Sequence, residues 1–310
     1  MANSGAPADA AVPRDTAPEG FPPMFRSTRA PVRLAALLAF LAAASPLQAQ
    51  PAQSAGPETS APALEKDKLG RSNPKGYLSE EATPDLVSIL PPPPAGHSAA
   101  EAADRAIYNA TRAFQGSPRW TLATNDVADG GAALLEDYAC VLGQRIDHAR
   151  VPDLMRLLDR SRIDIARATR VAKRRYRRLR PFVGNEAPIC VARTPELADS
   201  FSYPSGHAGQ GWAYGLIMAN LMPEKATQFL VRSRLYGESR VVCGVHWLSD
   251  VEAARTGASA LVAVLLADAG FRADLEKARA DLGRVLGGEG AKPDPALCAR
   301  EEAAARQPLL

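Results

Sequence analysis

The chain has 310 residues, of which 46% are hydrophobic, so it can bury a substantial core in one large domain or two small ones. Its 37 Lys and Arg residues against 34 Asp and Glu give a formal net charge of +3. This mildly basic balance gives no strong case for a nucleic-acid partner or an anionic membrane, and clusters of charge matter more than the total.

The N-terminal region carries an export pattern. Three arginines precede the apolar run LAALLAFLAAA (34–44), which is too short to span a bilayer comfortably. A positive region, a short apolar run and a small residue at the cleavage point are typical of a secretory signal peptide, expected here over 1–49 with cleavage after Ala49. Met24 is an alternative start that would leave 1–23 untranslated. An uncleaved membrane anchor is the competing interpretation.

The rest of the chain divides by composition. Residues 50–75 are rich in Pro, Ala, Ser and charge without apolar periodicity, which predicts a flexible leader. The four prolines of ILPPPPAG (89–96) predict a stiff extended segment. After it, apolar residues recur three and four apart and alternating β-branched runs are almost absent, which predicts one all-α domain over 76–286. Residues 287–310 are expected to form a loose tail, unless Cys298 attaches it to the domain.

Apolar periodicity and start and stop signals locate the predicted helices. They are 99–114, 132–143, one or two helices within 152–179, 209–222, 226–242, 250–268 and 273–286. The apolar stretch 256–271 is too short for a membrane span and contains Asp268, so we expect no span in the mature protein.

The segment KRRYRRLRP (173–181) is dense in arginine. Lys173 and Arg180 are seven positions apart, which places them on nearly the same face of a helix, and Pro181 is expected to end that helix. Two cations on one stripe can hold the oxygens of one anion. A solvated helix face and a nucleic-acid patch are the alternatives.

The segment SYPSGHAGQGW (202–212) precedes a helical run. Ser205 is expected to be the N-cap or a first-turn residue, and Gly206 lets a ligand approach the backbone. The free N–H groups at such a helix start bind phosphate, which would place His207 beside a bound anion. A helix cap with an incidental histidine is an equally good interpretation.

The segment SRVVCGVHWLSD ends at Asp250. Ser249 and Glu252 fit a capping box, so a helix is expected to start near Asp250. His246 then lies in the preceding turn, where Asp250 can accept a hydrogen bond from one imidazole nitrogen and leave the other free to attack. Arg240, at the end of the preceding helix, can reach the same anion. A lone core histidine is the competing interpretation.

The three segments together supply cations, short hydrogen-bond donors, two histidines and a carboxylate, which is the set that phosphoryl transfer needs. The motifs K-x6-RP from Lys173, PSGH from Pro204 and SR-x5-H-x3-D from Ser239 resemble the three-part signature of the type 2 phosphatidic acid phosphatase and vanadium haloperoxidase superfamily. Their flanks are similar to the bacterial class A non-specific acid phosphatases from about residue 77 to 286. The resemblance implies an all-α, single-domain helical bundle of the type 2 phosphatidic acid phosphatase kind.

The resemblance also implies a role for each signature residue. His246 would be the nucleophile that forms a phosphohistidine, Asp250 would orient it, and His207 would be the general acid that protonates the leaving alcohol. The residues expected to hold the phosphate oxygens are Lys173, Arg180, Ser205, Gly206 and Arg240. The resemblance implies no metal and no cofactor.

The function so implied is that of an exported, metal-independent acid phosphatase, periplasmic or secreted. It would hydrolyse a broad range of small-molecule phosphomonoesters, and it would act as a phosphotransferase when an alcohol replaces water. Nucleic acid is not an expected partner, nor is a membrane once the signal is cleaved, and the family leaves a homo-oligomer open.

The four cysteines form an even set in an oxidising compartment, and spacing alone does not choose among their three full pairings. The resemblance places Cys190 between two signature parts and Cys243 inside the third, so both are expected near the site. We therefore predict a Cys190–Cys243 disulfide, which leaves Cys140–Cys298 as the second.

Two other functions compete with this reading. A vanadate-dependent haloperoxidase would use the same residues to hold vanadate, with His246 as its ligand. A polyanion-binding protein built on the basic helix 173–180 would show steeply salt-dependent binding, and it would leave both signature histidines without a role.

Overall fold

The computed structural model describes residues 75–307 and 309. The predicted signal peptide (1–49) and the leader (50–75), apart from Lys75, lie outside the described residues. Within the described range the chain is helical and contains no strand, so the all-α prediction is confirmed. None of the described helices is long and apolar enough to cross a bilayer.

Twelve α-helices follow one another within the described range. They are α1 (Leu86–Ile89), α2 (Ala99–Thr111), α3 (Pro118–Asn125), α4 (Gly131–Asp137), α5 (Ala139–Leu142), α6 (Pro152–Tyr176), α7 (Pro195–Asp199), α8 (Gly206–Leu221), α9 (Ala226–Val242), α10 (Leu248–Ala267), α11 (Ala269–Leu286) and α12 (Pro295–Arg306). Short 3₁₀ turns occur at Arg112–Phe114, His148–Arg150 and Pro223–Lys225.

The core lies among α6, α8, α10 and α11. Each contributes side chains to one apolar cluster, for example Leu154, Ile217, Leu261 and Leu282, all at most 2% exposed. The hydrophobic effect on these faces therefore fixes the central helices relative to one another.

Helices α8 and α9 lie so close together that two positions in α8 have no room for a side chain. A Cβ at Gly211 would come within 2.3 Å of Tyr236, and one at Gly215 within 2.1 Å of Ser233. Because later residues of α8 meet earlier residues of α9, the two helices are antiparallel. The start of α8 therefore lies beside the end of α9, which brings two of the three signature segments together.

Helix α6 ends earlier than predicted. The backbone leaves the helix at Arg177, which has a left-handed conformation with φ of 46°, and a proline disfavours helical backbone at the residue before it, here Arg180. Arg180 therefore lies in an irregular segment. The prediction that Lys173 and Arg180 share one helix face is wrong, although both side chains still reach the same site.

The C-terminal segment is not loose, because it contains α12 within the same compact unit as the preceding helices. A Cys140–Cys298 disulfide attaches α12 to α5, and a Cys190–Cys243 disulfide joins the loop before α7 to the end of α9. Both predicted pairs are thus present. The domain limits 76 and 286 stay a prediction.

Candidate active site

The site lies where the end of α6, the start of α8, the end of α9 and the start of α10 meet. The structure brings all eight predicted residues to this place. They are Lys173, Arg180, Ser205, Gly206, His207, Arg240, His246 and Asp250.

His246 is 3% exposed and is held at both ring nitrogens. Its Nδ1 lies 3.2 Å from Asp250 Oδ2, and its Nε2 lies 3.0 Å from Arg180 Nη1. A guanidinium can only donate hydrogen bonds, so Nε2 accepts and Nδ1 carries the hydrogen that Asp250 accepts. Burial, with the nearby Arg180, lowers the pKa of His246 well below its ordinary value. Both effects favour the neutral ring with its lone pair at Nε2, which is the form that a nucleophile requires.

Asp250 also closes the first turn of α10. Its Oδ2 accepts a hydrogen bond from the backbone N–H of Trp247 at 2.9 Å, and the helix starts at Leu248. The predicted capping box of Ser249 and Glu252 is therefore wrong. The helix begins earlier because Asp250, three residues after Trp247, supplies the carboxylate that caps it.

Arg178 and Ser202 were missed by sequence reasoning. Arg178 Nη1 donates to Asp250 Oδ1 at 2.7 Å, and Ser202 Oγ donates to Asp250 Oδ2. Burial raises the pKa of Asp250, and these two donors act against that effect. Nothing in the sequence distinguishes Arg178 from the other arginines of its segment, or Ser202 from any loop serine.

Asp104 of α2 holds two residues that lie beside Asp250, namely Arg178 and Ser249. It pairs with Arg178 Nη2 at 2.7 Å and accepts from Ser249 Oγ at 2.5 Å. Asp104 shares the buried stripe of α2 with Tyr108 and Thr111. A carboxylate on an otherwise buried helix face is a usable signal, because a buried charge requires a partner.

The cations Lys173 and Arg180 are oriented by backbone carbonyls. Lys173 Nζ donates to the carbonyls of Phe201 and Ser202, the latter at 3.2 Å, and Arg180 donates to Ser200 O at 2.7 Å. Burial lowers the pKa of Lys173 to about 7 and that of Arg180 to about 10. Arg180 therefore stays charged at neutral pH, whereas Lys173 titrates there.

Ser205 is the N-cap of α8, as predicted, and its Oγ accepts from Ala208 N at 3.3 Å. Its own N–H donates to Asp250 O at 3.0 Å, which joins the starts of α8 and α10. A Cβ at Gly206 would make only ordinary contacts, 3.7 Å to Thr169 and 4.0 Å to Lys173. The surrounding packing therefore does not demand glycine at this position.

His207 faces the other side of the site. Its Nε2 lies 2.8 Å from the carbonyl oxygen of Asp126, and its ring stacks on Tyr236 with centroids 4.5 Å apart. A carbonyl can only accept, so Nε2 carries the hydrogen and Nδ1 is free to exchange a proton. Burial, with Arg240, lowers the pKa of His207 well below its ordinary value. Arg240 Nη1 approaches the same carbonyl at 3.5 Å, and its buried Nε makes no hydrogen bond within the described residues.

The site as a whole is cationic. Lys173, Arg180 and Arg240 converge on it, whereas its one carboxylate, Asp250, is already paired with Arg178. Such a desolvated positive site favours a phosphate dianion. Among residues 75–307, no cluster of three or more His, Cys, Asp or Glu side chains is arranged to hold a metal ion.

A cavity of about 290 Å³ adjoins the site. Its lining includes Arg180, Trp247, and Arg105 and Tyr108 of α2. Arg180 therefore faces both this cavity and His246.

Comparison with known proteins shows to which family the chain belongs. The model of the PAP2 superfamily matches residues 165–272, a range that includes every predicted site residue. An acid phosphatase from Zymomonas mobilis is 42% identical over 225 residues, which cover 71% of this chain and 83% of that protein. Non-specific acid phosphatases from Providencia stuartii and Salmonella typhimurium are 34% and 33% identical, covering 67% and 66% of this chain and 85% and 83% of their own lengths. These relatives support a phosphatase activity, and the chain belongs to the PAP2 superfamily, among its acid phosphatases.

Proposed function

We propose that the protein is an exported, metal-independent acid phosphatase that hydrolyses a broad range of small phosphate monoesters through a phosphohistidine on His246. One observation carries the proposal above the others. His246 has its Nδ1–H held by Asp250 and its Nε2 lone pair beside Arg180, so the atom that must attack is unprotonated and adjoins the cations that would hold phosphate.

The first step transfers the phosphoryl group to the enzyme. Lys173, Arg180 and Arg240, with the N–H groups at the start of α8, neutralise the phosphate oxygens. His246 Nε2 attacks phosphorus, the bond to the ester oxygen breaks, and a proton from His207 goes to that oxygen. The positive charge that forms on the His246 ring is balanced by Asp250.

His207 must be protonated to act as the acid, although burial and Arg240 lower its pKa when no anion is bound. A phosphate dianion beside the ring raises that pKa again, because an opposite charge favours the cationic form. Substrate and proton therefore bind together. In the second step neutral His207 takes a proton from water, which attacks the phosphohistidine and releases inorganic phosphate. An alcohol in place of water would make the enzyme a phosphotransferase.

The test is hydrolysis of p-nitrophenyl phosphate by the purified protein with EDTA present, from pH 4 to 9. We expect turnover that vanadate inhibits and that is lost in His246→Ala. The matched control is His148→Ala, since the side chain of His148 is 63% exposed and lies outside the site. Absence of turnover in folded wild-type protein would refute the proposal. Bromide oxidation by peroxide after addition of vanadate would favour the haloperoxidase instead.

The orientation of the basic side chains in segment 173–180 argues against the polyanion-binding alternative. Arg178 and Arg180 are turned inward, towards Asp250 and His246, and Lys173 donates to buried backbone. The side chains that remain exposed, among them Arg174 and Arg175, form a smaller charged face than the sequence suggested.

A further inference from the structure

A second buried group of charges lies behind His207. Arg232 of α9 contacts three carboxylates, at 2.7 Å to Asp126, 3.1 Å to Asp137 and 2.7 Å to Glu301. All four residues are at most 7% exposed. We name them the Arg232 cluster.

Asp126 connects this cluster to the site. Its carboxylate is held by Arg232 and by Ser239 Oγ at 2.6 Å, while its backbone carbonyl accepts the Nε2–H of His207 at 2.8 Å. Asp126 is the C-cap of α3, where the helix no longer fixes the backbone. The position of the carbonyl that meets His207 therefore depends on the anchoring of the Asp126 side chain.

The outermost member of the cluster comes from the C-terminal helix. Glu301 lies in α12, three residues after Cys298, whose disulfide with Cys140 attaches that helix to α5. Glu301 accepts from Arg232 Nε, whereas Arg232 Nη2 contacts Asp126. A continuous set of contacts therefore runs from α12 through one guanidinium to the general acid.

Such a cluster is a costly way to stabilise a fold. One guanidinium faces three carboxylates, and burial raises the pKa of Asp137 and of Glu301. Oδ2 of Asp137 makes no hydrogen bond within the described residues. Apolar residues of similar volume often stabilise a core as well as a buried ion pair does, so a use in positioning accounts better for these groups.

We propose that Asp126, anchored by Arg232 and Glu301, is a positioning residue for the general acid. It holds Nε2–H of His207 and so presents Nδ1 to the leaving oxygen. This inference rests on the proposed phosphatase function. It differs from a purely structural role in one respect. Misplacing the general acid lowers kcat/KM only for substrates whose leaving group needs a proton, because the later hydrolysis step, in which His207 acts as base, does not enter kcat/KM.

The experiment compares kcat/KM for two substrates in the full-length protein. Glycerol 2-phosphate releases an alkoxide that requires protonation, whereas p-nitrophenyl phosphate releases a stable phenolate. Asp126→Asn removes the side-chain charge that Arg232 holds and keeps the backbone carbonyl that meets His207. Glu301→Gln weakens the hold on Arg232 without changing Asp126. Glu302→Gln is the matched control, because Glu302 lies next to Glu301 on α12 and its exposed side chain pairs with Arg306 of the same helix.

We expect Asp126→Asn to lower kcat/KM for glycerol 2-phosphate about tenfold, a part of the roughly 100-fold or more that general acids supply. The value for p-nitrophenyl phosphate should change less than about twofold, and Glu301→Gln should show the same selectivity at smaller size. Glu302→Gln should leave kcat/KM unchanged for both substrates. His207→Ala should show the same selectivity at larger size.

Three outcomes count against the inference. Equal losses on both substrates in folded variants, or no loss on either, would overturn it while leaving the phosphatase function intact. If Asp126→Asn does not fold, the substrate ratio of Glu301→Gln decides. Failure of the wild type on both substrates would instead refute the proposed function, and this inference with it.

Discussion

Besides Arg178 and Ser202, the carboxylate of Asp250 accepts hydrogen bonds from Nδ1–H of His246 at 3.2 Å and from the backbone N–H of Trp247 at 2.9 Å. The orientation of the nucleophile is therefore tied to the first turn of α10. An amide at this position could turn its NH₂ group towards Nδ1, which would move the ring hydrogen to Nε2, the attacking atom.

We therefore expect Asp250→Asn to lower kcat by about 10²- to 10⁴-fold, as loss of the correct histidine tautomer does in triad enzymes. The measurement is turnover of p-nitrophenyl phosphate, with circular dichroism to establish folding. Glu302→Gln again serves as the control. Retention of activity in folded Asp250→Asn would show that the carboxylate does not set the tautomer.

Lys173 predicts a pH dependence, since burial lowers its pKa to about 7. Its charge is present below that pH and is lost above it, so kcat/KM should fall as the pH rises through about 7. Arginine stays charged, so Lys173→Arg should move this fall to higher pH. Wild type and variant are compared on the same substrate, so that the titration of the substrate affects both equally. Lys173→Met should have a low kcat/KM over the whole pH range. An unchanged alkaline limb in Lys173→Arg would exclude Lys173 as its origin.

The same pKa shift affects stability with a definite sign. Above pH 7 the folded state binds fewer protons at Lys173 than the unfolded state does, until the ordinary lysine range is reached. This residue alone therefore makes the fold more stable as the pH rises from about 7 towards 10. Loss of activity through deprotonation of Lys173 would therefore not result from unfolding caused by this residue.

At the residue scale, the site residues that could be predicted from the sequence are those that belong to the three signature motifs. His207, His246 and Asp250 stand at helix starts and turns that their neighbours predict. Asp126 and Ser202 act through contacts formed only in the folded chain, and no local pattern of spacing or composition distinguishes them.

At the level of helices, the close approach of α8 and α9 determines where the site residues lie. Gly215→Ala would place a Cβ 2.1 Å from Ser233 Oγ. We expect it to lower the free energy of unfolding by about 1–3 kcal/mol, the usual cost of overpacking a core. Gly283→Ala in α11 meets nothing within 4 Å and should stabilise the protein by about 1 kcal/mol. Urea denaturation measures the free energy of unfolding of both variants. If Gly215→Ala changed it no more unfavourably than Gly283→Ala does, α8 and α9 would have room to separate.

Long, strongly periodic helices were predictable, and the short ones were not. The predicted range 226–242 coincides with α9, although several of its buried positions are polar, such as Arg232 and Ser239. Helix α6 ends three residues before its predicted limit, since the backbone at Arg177 stops it. Helices α3 and α12 were missed, because their few apolar residues are buried only in the folded chain, where Leu122 and Ala304 share a small cluster with Leu235 of α9.

At the scale of the whole molecule, the Cys140–Cys298 disulfide closes a loop of 158 residues. Replacing both cysteines by alanine should lower the free energy of unfolding by about 2–4 kcal/mol, mainly because the unfolded chain gains freedom. The control is the Cys190 and Cys243 pair, separated by 53 residues, for which the shorter loop predicts a loss about 1 kcal/mol smaller. An unchanged unfolding midpoint without Cys140 and Cys298 would contradict this expectation.

The assembled fold explains why one histidine among four is the expected nucleophile. The end of α9 and the start of α10 hold His246, the start of α8 and the segment after α6 bring the cations to it, and α12 supports His207 from behind. The bundle was predictable from helical period and from the signature motifs. The support behind the site was not, because it connects residues more than a hundred positions apart, such as Asp126 and Arg232.

Isolation of the phosphoenzyme tests the central claim most directly. The protein is mixed with a ³²P-labelled phosphomonoester, quenched in base to preserve phosphohistidine, and digested for mass spectrometry. We predict label on the peptide that contains His246, at Nε2, with no label in His246→Ala and normal labelling in His148→Ala. Steady turnover without labelled histidine, or label on any other residue, would contradict the account.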